Sequence, residues 1–522
     1  MSETFDVVVI GSGHNGLVAG AYLAKAGRSV LVLERNAHFG GGVATAEVTL
    51  PGFRHDLHSM GHLGIMINPL IRNDELKLQS RYGLKYIAPT ADYSTTFSDG
   101  SLLVSYRDFE RTVESIAAFS PRDADAYRRL ARESMEFLPM IAESLFVPPP
   151  PFGAFMAMMD QSAMGKNLIQ TMQRSIIDIL DERFENEHVK VHFMRIWSEH
   201  FIDPECKGDG ASMFMLPAFQ HTYGLNCPEG GSGSLVSSLI RCLEDHGAEL
   251  RASTHVAKVL VESGKAVGVR LADGNEIRAR HCVIGQIHPY NLPSMVDGLD
   301  EQVRYEVGRA QTAVYSCVAA HYALDAPPVY AQPDLDTCAL NGFAPPSVKE
   351  FKRFFRALHE GEMSSTPVLA VHTVSNMDPT RAPAGKCAMT VWRLAPFKLE
   401  GQPGWDDYKA QAEEETLAMV EGLLPSIKGK VLAQSFETPL DFERYSLTFQ
   451  KGDVSGLSTQ LFQSQGHRPT PSLAQYAVPG ADGLYLAGCF MHPVAGGVTG
   501  GGRATAIKIF ADKGWDFDKV IG

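Results

Sequence analysis

A chain of 522 residues, 44% apolar and 20% charged, has the composition of an ordinary globular protein, with length for about two to four domains. Its formal net charge of −13, with no basic cluster, excludes a nucleic-acid partner, because nothing gathers the cations needed to neutralise phosphates. Eight scattered cysteines, none in a CxxC pair, exclude a zinc knuckle or redox dithiol and lead us to expect reduced thiols in a cytoplasmic protein.

Residues 5–10 (FDVVVI) read as an apolar strand, Gly11-Ser12-Gly13-His14-Asn15-Gly16 as a tight turn, and 17–26 as a helix of small residues. A second strand, 29–33, ends on Glu34. Together they form a βαβ unit carrying GxGxxG, with an acid about 20 residues on. Gly11 permits the turn, Gly13 admits a pyrophosphate to the helix N-terminus, and Gly16 lets the helix pack on the strand. The Glu34 carboxylate is placed to accept hydrogen bonds from a ribose. The unit predicts an ADP-containing cofactor. The N-terminus therefore reads as a strand, not as a signal peptide, and no run reaches the roughly 18 apolar residues of a membrane span.

A second glycine cluster, Gly40-Gly41-Gly42, precedes His55-Asp56. From 70 to 220 the texture is helical and rich in methionine, with helices expected over 108–119 and 122–144. The four prolines at 148–151 predict a loop or hinge serving as a lid. The Met and Phe residues of 135–172 are either core or the wall of a substrate channel, with peripheral membrane contact open to them. A glycine turn at 228–234 (PEGGSGS) leads into a helix over 235–246, a hairpin over 255–262 and 266–271, and a short strand over 281–285. Residues 300–440 mix strands (314–324, 367–374, 387–392) with a helix over 405–424. A strand over 484–488, a glycine turn over 496–502 and a helix over 503–513 close the chain.

Residues 1–70, 221–295 and 441–522 are thus expected to form a discontinuous α/β, Rossmann-like domain, with 71–220 and 296–440 forming an α+β substrate or cap domain. FAD is favoured over NAD because only one GxGxxG occurs and Gly40-Gly41-Gly42 follows the ribose acid. The C-terminal glycine turn also offers a second helix N-terminus to a flavin.

The chain resembles the phytoene desaturase-like group of FAD-dependent flavoproteins of the amine-oxidase and carotenoid-desaturase superfamily, whose FAD domain is of the GR2 type. The resemblance rests on VVVIGSGHNGLVAGAYLAKAG at 7–27, PGFRHD at 51–56, PEGGSGSL at 228–235 and LYLAGCFMHPVAGGVTGGGRATA at 484–506. It implies non-covalent FAD and oxidation by hydride transfer to flavin N5. It also implies desaturation of an apolar, alicyclic or isoprenoid molecule, with O2 or a quinone as acceptor. The cofactor-binding residues it implies are Gly11, Gly13, His14, Asn15, Gly16, Glu34, Arg35, Gly41, Gly42, Val256, Gly488, Gly497 and Val498. Two departures are Val43, where many relatives carry Arg, and Cys489-Phe490, where small or acidic residues are usual.

The candidate catalytic residues are His58 and His62, in a loop brought toward the flavin, and His492 in the C-terminal signature, since an imidazole suits general-base work near neutral pH. His221 and Tyr223 are weighed as facing the flavin or as an ordinary loop pair. His188 and His192 have i, i+4 spacing without a third ligand, so no metal site is expected. Two alternatives stand beside desaturation. One is a flavin amine oxidase acting on C–N bonds, for which no aromatic pair and lysine are identifiable. The other is a non-catalytic flavin-binding interaction protein.

Overall fold

The computed structural model describes residues 3–401, 403–493 and 499–521. The strand Glu3–Ile10 lies inside a seven-stranded sheet. It runs parallel to Val30–Leu33 on one side and Glu276–Gly285 on the other, and Val30–Leu33 pairs onward with Glu249–Arg251. The far edge of Glu276–Gly285 is shared. Its first residues pair antiparallel with Lys265–Leu271, the return strand of a hairpin with Val256–Glu262, and its last pair parallel with Leu484–Leu486. The strand expected over 281–285 is longer because the hairpin extends it.

VVVI is apolar throughout because both faces of the sheet are covered. Val7 and Val9 pack with Leu17, Tyr22, Leu239 and Ile509 of the helices His14–Lys25, Gly233–Asp245 and Gly500–Lys513. Val8 and Ile10 pack with Leu31, Val259, Leu292 and Leu484 on the opposite face. The last helix begins at Gly500, not at 503, and its glycines allow a close approach: a Cβ on Gly502 would overlap the Asn15 carbonyl. Asn15 Oδ1 accepts the Gly502 amide at 2.9 Å, joining the first turns of the first and last helices.

A second seven-stranded sheet has the order Val431–Glu437, Ser316–Leu324, Cys387–Ala395, Leu369–His372, Cys338–Ala344, Ala91–Phe97, Leu102–Ser105. Only Ala91–Phe97 and Cys338–Ala344 pair parallel. One face packs Val318, Tyr322 and Val391 against Trp405, Tyr408 and Val420 of the helix Trp405–Leu423. The other supports the helices Pro121–Ser144, Glu187–Ser198, Ser212–Tyr223 and Val348–His359. The region 70–220 is therefore not purely helical. ADYSTTF carries no apolar alternation, yet it is buried because its hydroxyls are satisfied. Ser94 donates to Asn341 Oδ1 at 2.8 Å, and Thr95 bonds His192 Nδ1 at 2.7 Å.

Candidate functional site

A cavity of about 440 Å³ is lined by residues of both sheets. One end is the glycine turn. Gly11 sits at φ +86° and its carbonyl accepts Gln286 Nε2 at 2.7 Å. A Cβ on Gly13 or Gly16 would overlap the Gln286 side chain, which leaves the end of Glu276–Gly285. Gly16 thus makes room for Gln286, a different role from the helix-on-strand packing expected of it, and Gly16 is not among the lining residues. Gly41, at φ +57°, abuts Gly13, whose Cα would lie 3.0 Å from a Cβ there. The two glycine clusters therefore form one wall, tied by Gly40 N donating to Ser12 Oγ at 3.1 Å.

The buried Glu34 carboxylate closes this end. Oε2 accepts Ser12 N and Ser12 Oγ at 2.8 and 2.7 Å, and Oε1 accepts Asn36 N at 2.8 Å. Arg35 also lines the cavity, but its Nη2 donates to the carbonyls of Arg444 and Tyr445 at 3.0 and 2.9 Å. His14, Asn15, Gly42, Val256 and Gly488 complete the lining expected from the sequence, whereas Gly497 and Val498 lie outside the described residues. A positive-φ glycine turn at a helix N-terminus, a carboxylate at the end of the second strand and a cavity leading away from both fit a dinucleotide such as FAD.

Beyond the glycines the histidines separate. His58 lines the cavity, its ring 4.8, 4.7 and 5.3 Å from those of Phe442, Tyr445 and Phe449, and its Nε2 3.8 Å from Glu437 Oε1. His492 also lines it, with Nε2 3.3 Å from the Ser144 carbonyl. His62 does not. Its Nδ1 bonds Tyr86 Oη at 3.0 Å, which makes it part of the loop's support. His221 and Tyr223 are likewise absent from the lining, and His221 is held by Tyr127 Oη at 2.7 Å and the Arg107 carbonyl at 3.0 Å. His192 is engaged at both nitrogens, by Thr95 and Ser105.

The far end is a largely apolar chamber whose lining includes Leu145, Met172, Met215, Phe219 and Leu340. Methionines of the helical insert divide between chamber wall and surface, since Met158 and Met164 are 56% and 46% exposed. Among the described residues, no helix is long and apolar enough to cross a membrane. The proline segment is tethered, not a free lid: Gln475 Nε2 donates to the Pro149 carbonyl at 2.7 Å and Phe152 stacks on His467 at 4.3 Å. Sequence reading missed Ser12, Gln286, Tyr445, Phe449 and the chamber aromatics. Of these, only Gln286 carried a signal, its place directly after an apolar strand.

Burial pushes His55 down to about 3, and His58, His62, His200, His288 and His492 to about 4. Each stays neutral in the folded chain over a range where its unfolded ring, with a usual value of 6.5, takes up a proton. Unfolding therefore binds protons, and stability falls as pH drops from 6.5 toward 4, by up to about 1.4 kcal/mol per pH unit for each ring. Denaturant titrations at pH 7.5, 6 and 4.5 (chosen conditions, about one to two units apart) should show a steadily falling midpoint. A flat profile would mean that these rings are hydrated.

The profile of the family described as flavin containing amine oxidoreductase matches residues 16–508. The chain is 28% identical to pyridine nucleotide-disulfide oxidoreductase domain-containing protein 2 of Mus musculus, covering 98% of this chain and 94% of that one. It is 25% identical to the all-trans-zeta-carotene desaturase of Myxococcus xanthus, covering 94% and 90%. Cyclohexylamine oxidase from Brevibacterium oxydans shares the fold, with a TM-score of 0.58 at 15% identity over 98% of this chain and 99% of that one. The family match runs from Gly16, at the end of the glycine turn, through the second sheet and into the last helix, so the chain belongs to the flavin containing amine oxidoreductase family and is an FAD-dependent oxidoreductase.

Proposed function

We propose that the protein dehydrogenates an apolar, alicyclic or isoprenoid small molecule to an alkene, with O2 or a quinone as the final acceptor. The carrying observation is the apolar chamber, continuous with the nucleotide cradle in one cavity. The relative named for desaturation supports the same reading. No lysine stands among the described residues lining the cavity, which weighs against the C–N oxidation expected of an amine oxidase. We assign the sheet around Glu3–Ile10, from residues 1–70, 221–295 and 441–522, as a discontinuous Rossmann-like FAD domain. The second sheet and its helices, 71–220 and 296–440, form the substrate domain.

FAD, when bound, supplies the two-electron acceptor. The chain orients the substrate, excludes water and removes the remaining hydrogen as a proton. His58 is the base we assign. It is neutral above about pH 4, and neither ring nitrogen makes a hydrogen bond. Glu437 stands by to stabilise the imidazolium that forms.

Anaerobic mixing of the holoenzyme with alicyclic, isoprenoid and amine donors tests the reaction class. Bleaching of the flavin by the first two is expected, and bleaching by amines alone would overturn the reading. With a substrate in hand, His58→Phe should lower the reduction rate about 10²–10⁴-fold while FAD content is retained. An unchanged rate removes His58 from the chemistry.

A further inference from the structure

The chamber is not uniformly apolar. Trp197, Glu199 and His200, at and just after the end of the helix Glu187–Ser198, line it together with Tyr93 and Trp392 of the second sheet. Glu199 Oε2, Tyr93 Oη, Trp197 Nε1 and Trp392 Nε1 are all buried and make no hydrogen bond within the chain. Leaving such an atom unpaired is costly, and four of them on the lining residues of one chamber offer partners to a polar ligand there.

The surroundings are built to hold this set. Thr95, Gly342, Ala370 and Trp392 are cross-strand neighbours in one row, and Tyr93 pairs with Leu340 two residues along. Strand alternation puts all of them on one face of the sheet. Gly342 has no side chain where the Arg195 guanidinium lies, since a Cβ there would overlap it. Arg195 Nε donates to Thr95 Oγ1 at 2.9 Å, and the same guanidinium pairs with Glu199. Glu199 is thereby fixed against the chamber by a buried cation.

We propose that this end of the cavity binds an oxygen function, a hydroxyl or carbonyl, carried by the otherwise apolar substrate, with Glu199 and Tyr93 as its principal hydrogen-bond partners. The proposal rests on reading the chamber as the substrate site. The chemistry discriminates among ligands. A hydrocarbon leaves all four atoms unpaired. An ammonium group pairs with Glu199 but leaves the two indole donors unpaired and meets the Arg195 charge. A hydroxyl or carbonyl oxygen accepts from Tyr93 and the indoles, and a hydroxyl also donates to Glu199. Burial raises the Glu199 carboxyl above its usual range despite Arg195.

The test titrates FAD-loaded protein anaerobically with methylcyclohexane, 4-methylcyclohexanol and 4-methylcyclohexanone, following the flavin difference spectrum. The oxygenated probes should saturate the signal at concentrations at least about 10²-fold below the hydrocarbon, since a site built to pair an oxygen rejects the analogue lacking it. Glu199→Gln and Tyr93→Phe should each cut that preference about tenfold, with FAD content and circular dichroism as controls for folding. Equal responses to the three probes, or a preference untouched by both variants, would overturn this inference alone. No response to any of them would overturn the alicyclic-substrate reading and this inference with it.

Discussion

Glu34→Ala should purify largely without FAD and bind added FAD about 10²–10³-fold more weakly than the parent chain. The carboxylate is 7% exposed and takes three hydrogen bonds, from Ser12 N, Ser12 Oγ and Asn36 N. Ser12 is fully buried, so its amide and hydroxyl lose their acceptor without regaining water. The turn between Gly11 and Gly13 then loses the anchor that holds its shape, and the ribose loses an ionised acceptor. Hydrogen bonds to charged groups contribute about 1.5–3 kcal/mol each, so a net loss of about 3–4 kcal/mol is reasonable once part of the shell rearranges. Fluorescence quenching of FAD titrated into apoprotein measures it. Glu34→Gln, which keeps the shape and one acceptor oxygen, should fall between the two. Undiminished affinity in Glu34→Ala would show that the acid does not face the cofactor.

The second large effect is on stability. Arg503, in the first turn of the last helix, donates from Nε and Nη2 to the two oxygens of Glu75, each at 2.8 Å, and from Nη1 to the Phe146 carbonyl at 3.0 Å. Tyr22 donates to Glu75 as well. The pair is almost wholly buried, with side chains 9% and 4% exposed. Arg503→Met strands a carboxylate in the interior, and breaking a buried pair from one side costs about 3–5 kcal/mol. An apparent Tm lower by about 3–5 °C is expected by circular dichroism. Adding Glu75→Gln to that variant should recover part of the loss, because it removes the orphaned charge and leaves an amide for Tyr22 to bond. No recovery would locate the cost in packing around the Arg503 stem. The site would feel the change too, since the neighbouring Gly502 amide is held by Asn15 of the glycine turn.

What could be read from the amino-acid order alone follows from the range of the interactions involved. The first strand, glycine turn, helix and second strand lie within about three dozen residues, and each is specified by its own pattern: apolar runs, glycines where φ is positive or an atom approaches closely, and an acid at the end. The helices with polar caps were legible for the same reason, as where Asp108 accepts Arg111 N and Ser120 accepts Asp123 N. Ala91–Phe97 was not, because its burial depends on Asn341 and His192, far along the chain, to satisfy its hydroxyls. His58 and His62 carry the same sequence signal four residues apart. Only the packing of Phe442, Tyr445 and Phe449 around one, and of Tyr86 beside the other, decides which meets the cavity. Arg195 and Glu199 stand four residues apart at a helix C-terminus, a spacing that by itself carries no signal of a cavity. The absent side chain at Gly342 and the hydroxyl of Thr95 place them in the chamber wall, since desolvation and hydrogen bonding act on whatever the folded chain brings together.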